Sequence, residues 1–151
     1  MSASQISALD DHLGYWLRKV SNAVSARFAA TLAGRGFTVA EWVMLRELHD
    51  GDLLPSALAA RMGMTRGGVT KLVDRLAARG LVERRTNPDD GRSVALALTA
   101  AGREVVPALS ALADANDAAW FDMLPAGDRA CLRALLVDLA ERHGIGPSPV
   151  D

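Results

Sequence analysis

The chain has 151 residues, 50% of them hydrophobic and 23% charged, and its net charge is −1. Such a chain fits one globular domain with a sizeable core, and its net charge excludes a uniformly basic nucleic-acid-binding protein. The single cysteine excludes an internal disulfide and a thiolate metal cluster. Because the N-terminus has no secretory signal and no stretch approaches the roughly eighteen apolar residues of a membrane span, we expect a cytoplasmic protein without a membrane partner.

Charge is unevenly distributed along the chain. Residues 61–92 contain eight basic and four acidic residues, a local charge of +4, which leaves nine basic and fourteen acidic residues elsewhere. A positive central segment between acidic ends indicates a surface that faces a polyanion.

Helix signals dominate the first third of the chain. Apolar residues recur at steps of three or four and predict an amphipathic helix over 6–33. At 1.5 Å per residue this helix would be about 40 Å long, which is more than a compact monomer of this size buries. Thr38 and Glu41 have the spacing of a capping box and predict the start of a second helix, which ends near 49–52.

Two shorter helices are predicted next. Pro55 suits the first turn of a third helix, and Gly63 closes that helix. Thr65 is a natural N-cap for a fourth helix that runs to Arg79. The apolar residues of the fourth helix fall on one face: Val69, Leu72, Val73 and Leu76.

A hairpin and two further helices complete the chain. Strand-like segments at 81–85 and 94–98 are joined by a charged tip of about seven residues, where a two-residue turn would suffice. Thr99 predicts the start of a fifth helix that runs to about Phe121, with a kink or a break at Pro107. A sixth helix is predicted by leucines at helical spacing: Leu132, Leu135, Leu136 and Leu139.

The segment 55–76 has the requirements of a helix-turn-helix. Ala59 is small enough for two helices to cross closely, and Gly63 permits the left-handed conformation of a tight turn. Gly67 and Gly68 lower the helix propensity of the second helix, and they remove bulk in its first turn, where that helix would meet a duplex. The polar face of the second helix carries residue types that hydrogen-bond base edges or phosphates: Arg66, Gly67, Thr70, Lys71 and, near its edge, Arg75.

Residues 58–102 together resemble the winged helix-turn-helix of MarR-type transcriptional regulators. The matching parts are the Leu-Ala opening of the third helix, VTKLVDRL (69–76), GLVER (80–84), the Asp-x-Arg of the wing (90–92), and LALT (96–99) followed by Gly102. The order of elements agrees over nearly the whole chain. The resemblance implies a mainly α fold with a small β-hairpin wing, and a regulator that is not an enzyme.

The resemblance also implies that residues 1–151 form one domain with a dimerisation region and a DNA-binding region. The family binds pseudo-palindromic operator DNA as a homodimer. We expect this chain to be a repressor, and the sequence leaves activation open as the alternative. Residues 6–34 and 99–144 would supply the dimerisation helices, and residues 38–98 would form the DNA-binding lobe. The two half-sites would lie about one helical turn apart on the DNA.

Specific DNA contacts follow from the same resemblance. The helix from Thr65 to Arg79 would enter the major groove, and Arg92 in the wing would reach the minor groove or adjacent phosphates. Asp90 would hold the wing through a charge-assisted hydrogen bond to a nearby arginine. For Arg61, Arg84 and Arg85, phosphate contact and simple solvation are both open. The implied DNA-binding set is Thr65, Arg66, Gly67, Thr70, Lys71, Arg75, Arg84, Asp90 and Arg92.

Many members of the family are released from DNA by small phenolic or aromatic ligands, bound between the dimer helices and the DNA-binding lobe. The candidates for such a site are His12, Tyr15, Trp16, Trp42 and Arg46. Trp16 and Trp42 also suit a core or an interface, and His12 also suits a surface. Cys131, predicted to face the interior or a dimer, is not on the first helix, where oxidant-sensing relatives carry theirs. No cluster has metal-ligand spacing, and no metal or other cofactor is expected.

Three other functions compete with this one. A calcium loop that began at Asn87 would need Glu at its twelfth position, where the chain has Leu98. An enzyme would need a nucleophile with a base or paired carboxylates, and three scattered histidines with one cysteine supply neither. The remaining alternative is a winged helix that contacts proteins and not DNA. That alternative predicts partner binding that is insensitive to salt, whereas operator binding weakens steeply with salt.

Overall fold

A computed structural model describes residues 6–86 and 89–147. These residues form six α-helices and one antiparallel two-stranded hairpin, which confirms the mainly α fold with a β-hairpin wing. The elements in chain order are α1 (Leu13–Ala33), α2 (Val39–His49), α3 (Pro55–Met62), α4 (Arg66–Ala78), β1 (Val82–Thr86), β2 (Val94–Leu98), α5 (Ala100–Phe121) and α6 (Ala126–Arg142).

The first helix begins later than the sequence predicted. A 3-10 turn at Leu9–Asp11 precedes α1, and the extended backbone of His12 separates the two. The carboxylate of Asp11 accepts a hydrogen bond from the Ala8 N–H at 2.8 Å, and this local contact competes with a continuous helix. The prediction that one helix spans 6–33 was therefore wrong at its N-terminal end.

The predicted caps are present. The Thr38 hydroxyl accepts from the Glu41 N–H at 3.1 Å, and the Glu41 carboxylate accepts from the Thr38 N–H at 3.0 Å. The hydroxyls of Thr65 and Thr99 likewise accept from N–H groups three residues later, in α4 and α5. Gly63 closes α3 in the left-handed conformation, with φ of 63°.

Pro107 lies inside α5, which continues on both sides of it. A break was one of the two outcomes predicted there, and it does not occur. Proline removes only one backbone donor, while the neighbouring Val106 and Leu109 are both buried in the core. Packing on either side thus holds the helix together across the proline.

The hydrophobic core lies where the hairpin and α2, α3, α4 and the first half of α5 meet. In the hairpin, Val82 pairs with Leu98 and Thr86 pairs with Val94. Leu53 adds a bridge on the other edge of β2, with two backbone hydrogen bonds to Leu96. Because β2 is covered by several elements, its last three residues are all buried instead of alternating.

The terminal helices bury much less of their apolar surface. In this chain α6 has no buried residue, and α1 buries only Leu32. Leu135, Leu136, Val137 and Leu139 of α6 are between 44% and 57% exposed. Cys131, also on α6, is exposed, so the prediction that it faces the interior of the chain was wrong, and a position in a dimer interface stays a prediction. No helix among the described residues is long and apolar enough to cross a membrane.

Candidate nucleic-acid interface

The turn between α3 and α4 places α4 at the surface with one face buried and one face free. Gly63 adopts the left-handed backbone conformation, and the N–H of the next residue, Met64, donates to the Ala59 carbonyl at 3.0 Å. This hydrogen bond closes the tight turn. The four predicted apolar residues of α4 are all buried, so its register is fixed. The opposite face is therefore presented to solvent.

The N-terminal half of that free face carries four of the nine predicted DNA contacts. Arg66, Gly67, Thr70 and Lys71 are all exposed there. The Thr70 hydroxyl donates to the Arg66 carbonyl at 3.0 Å, which leaves its oxygen lone pairs available as acceptors. Apart from its chain neighbours and the backbone of α4 itself, no atom lies within 4 Å of a Cβ placed on Gly67. The surface is therefore open at this point.

The C-terminal half of α4 is clamped on both flanks by ion pairs. On one side Asp74 accepts from Arg84 of β1 at 2.6 Å, which ties the wing to α4. On the other side Arg75 and Arg79 each lie 3.4 Å from Glu41 of α2. Arg75 and Arg84, both predicted DNA contacts, therefore already have carboxylate partners in the free protein.

The wing carries Arg92 at its exposed end. The Asp90 carboxylate accepts a hydrogen bond from the backbone N–H of Arg92 at 3.1 Å. The resemblance implied a contact with an arginine side chain, whereas the contact in the structure is to the arginine backbone. Asp90 can stabilise the tip in this way because aspartate readily bonds to N–H groups two residues on. Residues 87–88 of the predicted tip lie outside the described residues.

The remaining arginines of the hairpin and of α3 also have acidic partners. Arg85 donates to Glu83 at 2.7 Å and to Asp52 at 3.4 Å, and its hydrogen bond to Glu83 raises the pKa of Arg85. Arg61 donates to Glu47 at 3.1 Å. Within the part of the chain that the structure describes, three cations of the basic segment have no carboxylate within 4 Å: Arg66, Lys71 and Arg92.

The candidate ligand residues of α1 form a small exposed group. The rings of Tyr15 and Trp16 meet edge to face with centroids 5.3 Å apart, and the Lys19 ammonium lies over both rings. The Trp16 indole N–H donates to the Asp10 carbonyl at 2.9 Å. His12 is bonded to the backbone of the preceding 3-10 turn. Two of the five candidates are thus brought into direct contact.

The two candidates on α2 lie in different surroundings. Trp42 belongs to the hydrophobic core, which agrees with the alternative interpretation as a core residue. Arg46 donates to Asp50 at 3.0 Å, and this hydrogen bond lowers the pKa of the exposed Asp50 carboxyl. Neither position is among the aromatic contacts of Tyr15 and Trp16.

A contact that the sequence did not indicate joins the lobe to α5. The Thr99 hydroxyl donates to the Gly80 carbonyl at 2.6 Å, and the Thr99 N–H donates to the Leu81 carbonyl at 3.1 Å. A Cβ on Gly102 would lie 2.1 Å from that same Leu81 oxygen. The turn between α4 and β1 is therefore bonded directly to the start of α5.

Replacing Gly67 by Ala should separate protein stability from DNA binding. Because its surroundings are open, Ala should raise the free energy of unfolding by up to about 1 kcal/mol through helix propensity. Because the sequence predicts that this face of α4 contacts a duplex, we expect the added methyl to lower DNA affinity. Thermal unfolding and binding titrations measure both effects, and a variant that binds DNA more tightly would contradict the placement of this face.

A capped helix with a free polar face beside an exposed basic hairpin defines a winged helix-turn-helix protein. The family model described as MarR family matches residues 35–93. An HTH-type transcriptional repressor of Mycobacterium tuberculosis is 34% identical over 110 residues, which cover 72% of this chain and 79% of the relative.

Solved structures agree over more of the chain. CouR from Rhodococcus jostii, bound to p-coumaroyl-CoA, is 28% identical with a TM-score of 0.77, covering 89% of this chain and 96% of CouR. A variant of MarR from E. coli, complexed with operator DNA, is 26% identical with a TM-score of 0.74, covering 84% of this chain and 92% of that one. The chain belongs to the MarR family. It is a DNA-binding transcriptional regulator and, like the family, not an enzyme.

Proposed function

We propose that this protein represses transcription in the cytoplasm by binding pseudo-palindromic operator DNA as a homodimer. The observation that carries the proposal is the division of the basic residues in the 61–92 segment. Five arginines have carboxylate partners, whereas Arg66, Lys71 and Arg92 are exposed without one among the described residues.

The unpaired cations suit a phosphate backbone for an electrostatic reason. A cation that already has a carboxylate partner loses that attraction when it turns to DNA, whereas an unpaired one does not. Arg66 and Lys71 lie on the free face of α4, and Arg92 lies at the wing. We assign α4 to the major groove and Arg92 to the minor groove or its phosphates. Thr65, Gly67 and Thr70 complete the α4 surface, and Asp90 supports the wing.

The homodimer is proposed from the apolar surfaces of the terminal helices. Between α5 and α6 lies a groove of about 780 Å³, whose apolar lining includes Phe121, Leu132 and Leu136. At its rim Arg129 is bonded to Asp117 and to Asp122. We assign the covering surface to helix α1 of a second copy, since α1 also exposes apolar residues such as Leu13 and Leu17. This arrangement assigns residues 6–34 and 99–144 to dimerisation, and 38–98 to DNA binding.

Replacing Leu136 by Glu should abolish dimerisation without unfolding the protomer. The side chain is 44% exposed in the protomer and lines the groove, so a carboxylate there would be buried without a partner only in the dimer. Sedimentation equilibrium should show monomers at concentrations where the wild type is dimeric. A dimer of unchanged affinity would show that α6 is not part of the interface.

We extend the proposal to a small aromatic effector. CouR is bound to p-coumaroyl-CoA in its structure, and this chain carries an aromatic pair with a cation, Tyr15, Trp16 and Lys19, on α1. His12, Trp42 and Arg46 stay candidates for the same site. Rings and a lysine together suit a ligand with an aromatic ring and an acid group.

The test is the salt dependence of binding to duplex DNA, followed by fluorescence anisotropy with the purified protein. The proposal predicts that the logarithm of the affinity falls linearly with the logarithm of salt concentration, by roughly 0.9 for each phosphate contact. Absence of DNA binding at low salt would overturn it. That outcome would favour the alternative, a winged helix that contacts proteins.

A further inference from the structure

One buried carboxylate lies directly behind the DNA-binding helix. Glu41, in the first turn of α2, is only 6% exposed, and no other charged residue among those that the structure describes is buried. One part of its role is local, because its carboxylate accepts from the Thr38 N–H at 3.0 Å and completes the capping box. A glutamine at this position would complete the same box, so capping does not account for the negative charge.

The charge of Glu41 is directed at α4. Its Oε1 lies 3.4 Å from a guanidinium nitrogen of Arg75, and its Oε2 lies 3.4 Å from one of Arg79. The two arginines are four residues apart and so project from the same flank of the helix. One carboxylate therefore holds two successive turns of α4.

The two arginines differ in what else they contact. Arg79 also donates to the Gly36 carbonyl at 2.9 Å, and its guanidinium lies 4.2 Å from the centre of the Phe37 ring. These contacts make Arg79 a link between α4 and the α1–α2 turn. The Arg75 side chain is 59% exposed, and Glu41 engages one of its nitrogens. Arg75 thus keeps N–H donors for a further partner, while one of its nitrogens lies beside Glu41.

We propose that Glu41 is a positioning residue for operator recognition. It orients Arg75 at the edge of α4 before DNA binds, so that the guanidinium loses little further rotational freedom when it contacts the operator. This inference rests on the proposed function. A preoriented side chain favours the one duplex whose groups match its orientation, because ordering the side chain no longer opposes binding. Attraction to phosphates in general does not depend on that orientation.

The test uses Glu41→Gln, which keeps an acceptor for the Thr38 N–H and removes the charge. Affinities are measured for the operator duplex recovered from a random library and for a scrambled duplex of the same length and composition. Operator affinity should fall by between about 2- and 10-fold, while affinity for the scrambled duplex is retained or rises, because the lost carboxylate no longer competes with phosphates for Arg75. The same change made in an Arg75→Ala background should leave the ratio of the two affinities unaltered, because the group it orients is absent.

Two control variants separate positioning from other effects. Thr38→Ala damages the same capping box but leaves the carboxylate, so it should lower the melting temperature without changing the affinity ratio. Asp50→Asn frees Arg46 on α2, which Asp50 contacts at 3.0 Å, and changes the net charge by the same amount as Glu41→Gln. It should leave the affinity ratio at the wild-type value.

Three results would overturn the inference. The first is a ratio of operator to scrambled-duplex affinity in Glu41→Gln that equals the wild-type ratio. The second is a Glu41→Gln effect on this ratio that is the same with Arg75 and with Ala at position 75. The third is a fall of the ratio in Thr38→Ala as large as that in Glu41→Gln. If Glu41→Gln does not fold, nitrogen-15 relaxation of the Arg75 Nε–H in the wild type decides. We expect a restrained side chain, and one as mobile as a solvated arginine would refute positioning. A wild type that binds both duplexes equally would overturn the proposed function, and this inference with it.

Discussion

Replacing Gly102 by Ala should lower the free energy of unfolding by about 3 kcal/mol. The new Cβ would lie 2.1 Å from the Leu81 carbonyl oxygen, and a backbone atom cannot move aside as the end of a side chain can. That oxygen also accepts the Thr99 N–H, so relief of the clash would cost this hydrogen bond at the junction of the lobe and α5. For a chain of this length the melting temperature should fall by roughly 6–12 °C.

The control for this prediction is Gly67→Ala, the same substitution in the first turn of another helix. Both variants gain helix propensity, and only Gly102→Ala meets a backbone atom. Thermal unfolding monitored by circular dichroism should place the two variants on opposite sides of the wild type. Equal melting temperatures for Gly102→Ala and the wild type would show that α5 does not approach the α4–β1 turn this closely.

Replacing Arg92 by Ala should weaken operator binding by on the order of 10- to 100-fold, since a good arginine contact contributes roughly 1–3 kcal/mol. Arg92 is exposed, and only its backbone is bonded to Asp90, so the fold does not depend on its side chain. Dimerisation and the melting temperature should stay at the wild-type values. The magnitude of the salt slope should decrease, by roughly 0.9 for each phosphate that the variant no longer neutralises.

Arg85→Ala is the matched comparison on the same hairpin. Arg85 is held by Glu83 and Asp52, so its removal should affect DNA affinity less than the removal of Arg92. A larger effect for Arg85 than for Arg92 would contradict the view that unpaired cations make the main phosphate contacts. Unchanged affinity in Arg92→Ala would remove the wing from the proposed interface.

Local signals allowed most of the helix boundaries to be predicted. The box formed by Thr38 and Glu41 involves residues three apart, and so does each cap at Thr65 and Thr99. Gly63 marked a left-handed helix end for the same local reason. The start of α1 was mispredicted because apolar spacing continues through residues 6–12, whereas a side-chain contact of Asp11 with the backbone produces a 3-10 turn.

The pairing of arginines with carboxylates at the predicted DNA interface could not be predicted from the sequence. Asp74 and Arg84 are ten residues apart, and Glu41 is more than thirty residues from both arginines that it contacts. Such pairs exist only once α2, α4 and β1 have packed together. The sequence therefore identified a basic segment, but it could not separate the arginines held by carboxylates from the cations left exposed.

Two other features depend on tertiary structure in the same way. Gly102 matched a family motif in the sequence, but its close approach to Leu81 requires α5 to lie against the α4–β1 turn. The aromatic candidates were grouped by residue type, and the fold places Trp42 in the core while Tyr15 and Trp16 meet at the surface. Residue type alone does not determine which of two aromatic side chains is buried.

Selection of binding sites from a random duplex library with the purified wild-type protein tests the central claim most directly. We expect enrichment of a pseudo-palindromic site whose half-sites lie about one helical turn, roughly 10 base pairs, apart, as two α4 helices in adjacent major grooves require. Recovery of a library with no enriched sequence, at a salt concentration where the protein binds DNA, would contradict sequence-specific operator binding.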